Sequence, residues 1–212
     1  MKKIVLVGLV LSLVIAGILV KRQSPTPTPT PTPSPTLMAT TSPLAPTMQI
    51  NSQKTYTALM VTSAGSMNIK LFAVETPQTV NNFVVLSRQN FYNDTKFHRI
   101  IKDFMIQGGD PKGDGTGGPG YKFADEPITR DYTRGIVAMA NSGKNTNGSQ
   151  FFIMTKDAPL PKNYVIFGQL VGPESLITLD KIANTPVTSN ISGELSQPTQ
   201  TVTITSITIT EQ

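Results

Sequence analysis

From Ile4 to Val20 the chain reads IVLVGLVLSLVIAGILV, uncharged and almost wholly apolar, with Lys2-Lys3 before it and Lys21-Arg22 after it. A membrane-spanning helix needs around 20 such residues, with a lower limit near 17. Val14-Ile15-Ala16 resembles a small-residue cleavage site, so a secretory signal stays open. The apolar run nevertheless continues to Val20 before any polar sequence begins, and residues 1–22 are expected to form an uncleaved anchor. Basic residues on both flanks leave the charge rule for orientation weak. The position at the very start of the chain places the N-terminus inside, as for export signals.

Ser24 to Thr36 reads SPTPTPTPTPSPT. Proline at alternate positions removes backbone donors and fixes φ, which favours extended polyproline II over any packed element. A stiff spacer follows from this; the alternatives are a docking motif for proline-binding modules or a glycosylated stalk. The Thr/Ser/Pro bias persists to about Gln53, so residues 23–53 are assigned to a disordered linker.

Beyond it the pattern changes to short alternating runs. Thr55–Thr62 and Met67–Phe72 around Ser-Ala-Gly-Ser predict a β-hairpin. Pro77–Ser87 places Pro near the first helical position and Val80, Phe83, Val84 and Leu86 at helical spacing, which predicts a helix. Short apolar runs at Phe97–Ile101, Phe104–Gln107, Gly135–Ala140, Phe151–Met154 and Val165–Leu170 are separated by Gly, Asn and Pro. A second helix is expected over Glu174–Ala183, and Thr201–Thr210 alternates as a half-buried strand does. The expected architecture is mainly β: a closed antiparallel barrel with two helical lids, since closure removes exposed edges. Residues 54–212 form that domain.

Composition narrows the chemistry. The net charge is +5, but four of the 18 basic residues flank the first apolar run, and the remainder nearly balances the 13 acidic ones. A surface that tracks phosphates needs clustered Lys and Arg, so no nucleic-acid partner is expected. The absence of cysteine excludes disulfides, thiol nucleophiles and Cys-ligated zinc, and the single histidine, His98, excludes His-cluster metal sites. No cofactor is expected.

Three segments carry the candidate chemistry: Phe97-His98-Arg99-Ile100-Ile101 leading to Phe104-Met105-Ile106-Gln107-Gly108-Gly109-Asp110; Ala138-Met139-Ala140-Asn141; and Asn145-Thr146-Asn147-Gly148-Ser149-Gln150-Phe151-Phe152-Ile153. Strand periodicity puts Met105 with Gln107 on one face, and Gln150 with Phe152. An apolar group beside an amide suits a proline ring with its neighbouring peptide groups, although an ordinary barrel exterior has the same pattern. Arg99 points opposite to His98 and offers fixed donors without losing its charge. The plain alternative is a surface arginine in a weak ion pair.

In this order and near this spacing, with Val165-Ile166-Phe167-Gly168 closing the pattern, the segments resemble the cyclophilin family of peptidyl-prolyl cis/trans isomerases, as a bacterial, membrane-anchored member. The resemblance covers about residues 54–212. It implies an eight-stranded barrel capped by two helices, with a peptide groove on its outer surface. It also implies that Arg99 donates to the prolyl nitrogen and carbonyl region of the twisted transition state. By the same carry-over Phe104, Met105, Phe152 and Leu160 line the proline pocket, Gln107, Asn141 and Gln150 hold the peptide backbone, and Ala140 permits its close approach. Tyr164 stands where many eukaryotic members have histidine, and Pro159 replaces a tryptophan linked with tight cyclosporin binding. Ser142 adjoins the site for the residue preceding proline.

Other motifs carry less. Gly113-Asp114-Gly115-Thr116-Gly117-Gly118 matches G-x-G-x-x-G without a βαβ unit around it. His98 reads as a packed strand residue rather than a general base, since no acid or nucleophile is placed with it. Asn93-Asp94-Thr95, Asn147-Gly148-Ser149 and Asn190-Ile191-Ser192 match the glycosylation acceptor pattern. The expected protein is a monomeric isomerase acting on proline-containing exported chains, anchored with its catalytic domain on the extracytoplasmic side, or secreted if the first segment is cut. The rival is a non-catalytic module that holds proline-containing segments.

Overall fold

The computed structural model describes residues 44–212. The expected anchor and the Thr-Pro repeat lie outside the described residues, and among these no helix is long and apolar enough to cross a membrane. Strands β1 (Tyr56–Thr62) and β2 (Gly65–Leu71) pair antiparallel, from Tyr56 opposite Leu71 to Thr62 opposite Gly65. Tyr56, Ala58, Met60, Met67, Ile69 and Leu71 turn inward at every second position. The turn is tighter than the sequence suggests: it is only Ser63-Ala64, and Thr62 Oγ1 donates to Gly65 O at 2.7 Å.

The remaining strands of the main sheet are β3 (Thr95–Lys96), β4 (Arg99–Ile101), β5 (Met105–Gly108), β6 (Ile136–Met139), β7 (Phe151–Met154), β8 (Ile166–Val171) and β11 (Thr203–Glu211); β9 (Val187–Ser189) and β10 (Leu195–Pro198) pair separately. Among the described residues the main sheet has nine strands in the order β3-β11-β1-β2-β8-β6-β7-β5-β4. It is a curled antiparallel sheet rather than a plain ring of eight. The count rises because the expected strand Phe97–Ile101 lies in a segment that changes partner partway: Lys96 faces Thr203 of β11, whereas Arg99 faces Gln107 of β5. Between them Phe97 N–H donates to Val202 O and His98 N–H to Gln107 O, so the two edge strands are consecutive in the chain.

Inside the curl, Phe83 lies 5.3 Å from Tyr92, 5.1 Å from Phe167 and 6.0 Å from Phe151, ring centre to ring centre. Phe83 comes from α1 (Pro77–Arg88), whose first-turn N–H groups at Gln78 and Thr79 donate to the Glu126 carboxylate at 2.9 and 2.8 Å. A carboxylate there satisfies donors the helix cannot satisfy itself and sits at the positive end of its dipole. The second helix, α2 (Pro173–Ala183), buries Leu179 and Ile182 in the same core.

One boundary moves. Residues 46–53, expected in the linker, pack on the domain, with Ile50 only 7% exposed. Asn81 of α1 holds them: its Nδ2 donates to Thr47 O at 3.0 Å and its Oδ1 accepts from Gln49 N at 2.7 Å. Asn81 and Asn82, which the helical pattern leaves on the polar side, are both 2% exposed because that side is covered too.

Candidate active site

Register brings the candidate residues together. Arg99 of β4 lies opposite Gln107 of β5, Gln107 opposite Phe152 of β7, and Phe152 opposite Ala138 of β6. Residues directly opposite in antiparallel strands share a face, so this rung projects from the outside of the sheet while Ile100, Ile106, Ile153 and Val137 fill the inside.

On that outer face a second apolar cluster forms from Met105, Ala138, Phe152, Met154, Ile136, Ile166, Phe72 and Tyr132, with Phe104, Ala140, Leu160 and Tyr164 packed partly buried against it. Phe152 and Tyr164 meet edge to face, 5.4 Å apart at 87°. Tyr164 is held through its backbone: its N–H donates to the Tyr132 hydroxyl at 3.1 Å, and that hydroxyl donates to its carbonyl at 2.9 Å. Burial raises the Tyr132 pKa above its ordinary value, so the hydroxyl stays a donor. Tyr132 was not among the sequence candidates.

The Arg99 guanidinium sits at the edge of this cluster. Its Nη1 donates to Gln107 Oε1 at 3.3 Å and lies 3.8 Å from Met105 Sδ. Gln107 Nε2 donates to Gln150 Oε1 at 3.0 Å, and Gln150 Nε2 donates to Gly115 O and Gly117 O at 3.0 and 2.9 Å. Each amide is thereby oriented by the next, and such aligned chains polarise one another.

The far end of the chain is fixed by Asp110, whose carboxylate is fully buried. It accepts from the N–H groups of Lys112 (2.8 Å), Gly115 (2.7 Å), Gly117 (3.1 Å) and Asp114 (3.3 Å). Burial alone would raise its pKa, but the backbone donors of the loop outweigh burial and hold it below the usual carboxylate value. Gly117 is required here, since a Cβ would run into that carboxylate. The G-x-G-x-x-G match is therefore a loop folded around a carboxylate.

Next to the apolar cluster lies a recess of about 850 Å³, bounded by the 115–122 loop, Gln107, Ala140, Asn141, Ser142 and Gln150. Ala140 is tied to this strand pair by its N–H to Gln150 O at 2.9 Å. Asn141 sits at the rim, with its side-chain amide donating to Asn163 O at 2.8 Å. The Asn141 side chain is thus engaged within the protein. His98 has both ring nitrogens buried without partners among the described residues, and burial lowers its pKa, so it is neutral near pH 7.

The largest feature that sequence reasoning missed lies on the other side of the Arg99 guanidinium from Gln107. Glu194, in the turn between β9 and β10, accepts from Arg99 Nε at 2.7 Å and from Nη2 at 2.6 Å. This hydrogen-bonded pairing with Arg99 brings the Glu194 carboxyl down to about 2. The available signal was Asn190-Ile191-Ser192-Gly193, a turn sequence that also matches the glycosylation pattern.

A family model described as cyclophilin type peptidyl-prolyl cis-trans isomerase/CLD matches residues 57–209. The chain is 45% identical over 169 residues to a probable peptidyl-prolyl cis-trans isomerase B of Mycobacterium leprae, covering 72% of this chain and 56% of that protein. It is 43% identical over 188 residues to peptidyl-prolyl cis-trans isomerase A of Mycobacterium tuberculosis, covering 80% of this chain and 96% of that one. The chain thus spans about half the length of the B-type relatives it matches. Among solved structures, a cyclophilin type peptidyl-prolyl cis-trans isomerase of Cryptosporidium parvum is similar with a TM-score of 0.67 and 38% identity, covering 74% of this chain and 99% of that one. That protein was also solved in the presence of the dipeptide Ala-Pro, where the TM-score is 0.64 and the identity 40%.

Proposed function

This chain belongs to the cyclophilin-type peptidyl-prolyl cis-trans isomerase family, and we propose that it accelerates rotation about peptide bonds preceding proline, with Arg99 as its catalytic residue. Rotation about an amide faces a barrier of about 18 to 20 kcal/mol because resonance gives the C–N bond partial double-bond character. Twisting localises the lone pair on the prolyl nitrogen. A fixed cationic donor placed there stabilises the twisted form more than either planar isomer, which is what acceleration requires. Lowering the barrier by around 7 kcal/mol corresponds to about five decades in rate.

The observation that carries this reading is the position of the Arg99 Nη1 end, 3.3 Å from Gln107 Oε1 and 3.8 Å from Met105 Sδ, at the edge of the apolar cluster that holds Phe152. A proline ring seated among Phe104, Met105, Phe152 and Leu160, with Tyr164 as the far wall, brings its nitrogen to the guanidinium. Gln107, Gln150, Asn141 and Ala140 then face the flanking peptide groups, and the recess beside Ser142 accommodates the residue before proline. No proton is transferred and no nucleophile is needed.

The clients are proline-containing polypeptides outside the cytoplasm. The uncharged run Ile4–Val20 supports this, as a segment that would anchor the domain on the extracytoplasmic side, or export it if cleaved. The chain works as a monomer. Uncatalysed isomerisation takes tens to hundreds of seconds, slow enough to limit folding. Exchange spectroscopy on a short Ala-Pro peptide tests the activity: the protein is expected to speed interconversion of the cis and trans resonances. Unchanged rates would leave a non-catalytic proline-peptide-binding module.

A further inference from the structure

Glu194 is fixed before it meets Arg99. The turn from Asn190 to Glu194 closes on itself: Asn190 Oδ1 accepts from the N–H groups of Ser192 (2.9 Å) and Glu194 (3.0 Å), and Asn190 N–H donates to Glu194 O at 2.8 Å. Gly193 takes φ +82, the left-handed region this turn needs. The carboxylate therefore arrives from a braced backbone rather than from a free loop end.

Its two oxygens take Nε and Nη2 of Arg99 at 2.7 and 2.6 Å, a fork-to-fork pairing that sets the plane of the guanidinium as well as its position. Gln107 takes Nη1 from the other side. A guanidinium has five N–H donors. Glu194 occupies two, and Nη1 meets Gln107 Oε1 and Met105 Sδ, which leaves the second Nη2 donor without a partner among the described residues. That donor is one a bound prolyl amide could use.

Stability does not explain the pair. The two side chains are 32% and 38% exposed, and ion pairs so open to water contribute about 0–1 kcal/mol. Orientation does explain it: an arginine with several rotatable bonds must present one edge to a reacting nitrogen, and each degree of freedom frozen beforehand lowers the barrier. We infer that Glu194 is a positioning residue for Arg99, holding the guanidinium edge-on to the prolyl amide so that catalysis depends on the β9–β10 hairpin. This rests on the isomerase reading above.

The test compares the full-length protein with Glu194→Ala, Glu194→Gln and Arg99→Ala in Ala-Pro exchange, and follows the Arg99 Nε–H resonance. Glu194→Ala is expected to lower kcat about tenfold, less than the ~10²-fold that loss or gross misplacement of the group would cause. KM should stay within about twofold, because the apolar contacts that bind both ground states are untouched. Glu194→Gln, which keeps one acceptor oxygen, should fall between. The Nε–H proton should exchange slowly with water in the wild type and fast in Glu194→Ala, a change that general loosening of the fold would not confine to this one arginine. The inference is overturned if Glu194→Ala matches or exceeds the wild type in kcat while Arg99→Ala is inactive; excess activity would mean that Glu194 masks the guanidinium. A wild type without any effect on exchange would instead sink the isomerase reading, and this inference with it.

Discussion

Replacing Asp110 with asparagine tests whether the site's amide chain rests on a buried carboxylate. Asparagine keeps the shape but supplies one oxygen in place of two. If that oxygen stays with Gly115 and Gly117, which now donate at 2.7 and 3.1 Å, the new NH₂ group faces the Lys112 N–H that donates at 2.8 Å. One bond is then replaced by two opposed donors, and the others lose their charge. Hydrogen bonds to charged groups contribute about 1.5–3 kcal/mol against about 1 for neutral ones, and an orphaned donor costs about 1–3. Allowing for relaxation of a loop that lies at the surface, we expect a loss of about 2–4 kcal/mol, which in a domain of this size lowers Tm by roughly 5–12 °C. Chemical denaturation and thermal melting measure it directly. The sign with pH follows from the depressed carboxyl: its stabilisation is present above the ordinary value of about 4 and fades as pH falls through the lower native value. The gap between the two proteins should therefore narrow on acidification below about pH 4. A gap under about 0.5 kcal/mol at neutral pH, the size of an ordinary surface substitution, or a gap indifferent to acid, would refute this reasoning.

Two further outcomes follow from the same geometry. Phe152→Ala removes a ring that is 6% exposed in the outer apolar cluster, so titration of an Ala-Pro peptide should show affinity lowered about tenfold or more, since burying such a group is worth about 1.5–3 kcal/mol; unchanged affinity would place the proline ring elsewhere. The pH profile of kcat/KM should be flat from about pH 6.5 to 8, because Glu194 stays ionised down to about 2 and burial lowers the His98 pKa from its ordinary value of about 6.5. A bell-shaped profile with a limb inside that range would point to proton transfer.

The outer face of the site was legible because it follows period-2 alternation within single strands. Once Met105, Gln107 and Phe152 are on strands, with Gln150 just before β7, their faces follow from chain order, and the structure adds the register that sets Arg99 opposite Gln107. Pro77 and the helical spacing of Val80, Phe83 and Val84 located α1 in the same local way, with a period of 3.6 in place of 2. The strand pair β9 and β10 was hidden because little of it is buried: Val187–Ser189 and Leu195–Pro198 are largely exposed, so no hydrophobic alternation marks them. Glu194 was invisible with them, since its partner lies 95 residues earlier in the chain. Residues 46–53 were misread because Thr, Ser and Pro usually mark linkers, whereas their attachment depends on one buried Ile50 and on Asn81 in a distant helix. Asp110 was visible as a residue but not as an anchor, because its role needs a loop folded back through Gly113 and Gly115 at φ +66 and +89.

The proposed activity requires that Arg99 bind a twisted prolyl amide better than a planar one, and the most direct measurement is the Ala-Pro exchange rate with wild type and with Arg99→Ala. Loss of one preorganised donor at a developing charge costs about 10²–10³ in rate, so Arg99→Ala is expected to lose at least about a hundredfold while the peptide still binds and the circular dichroism spectrum is unchanged. An Arg99→Ala protein that exchanges the peptide at the wild-type rate would contradict the account.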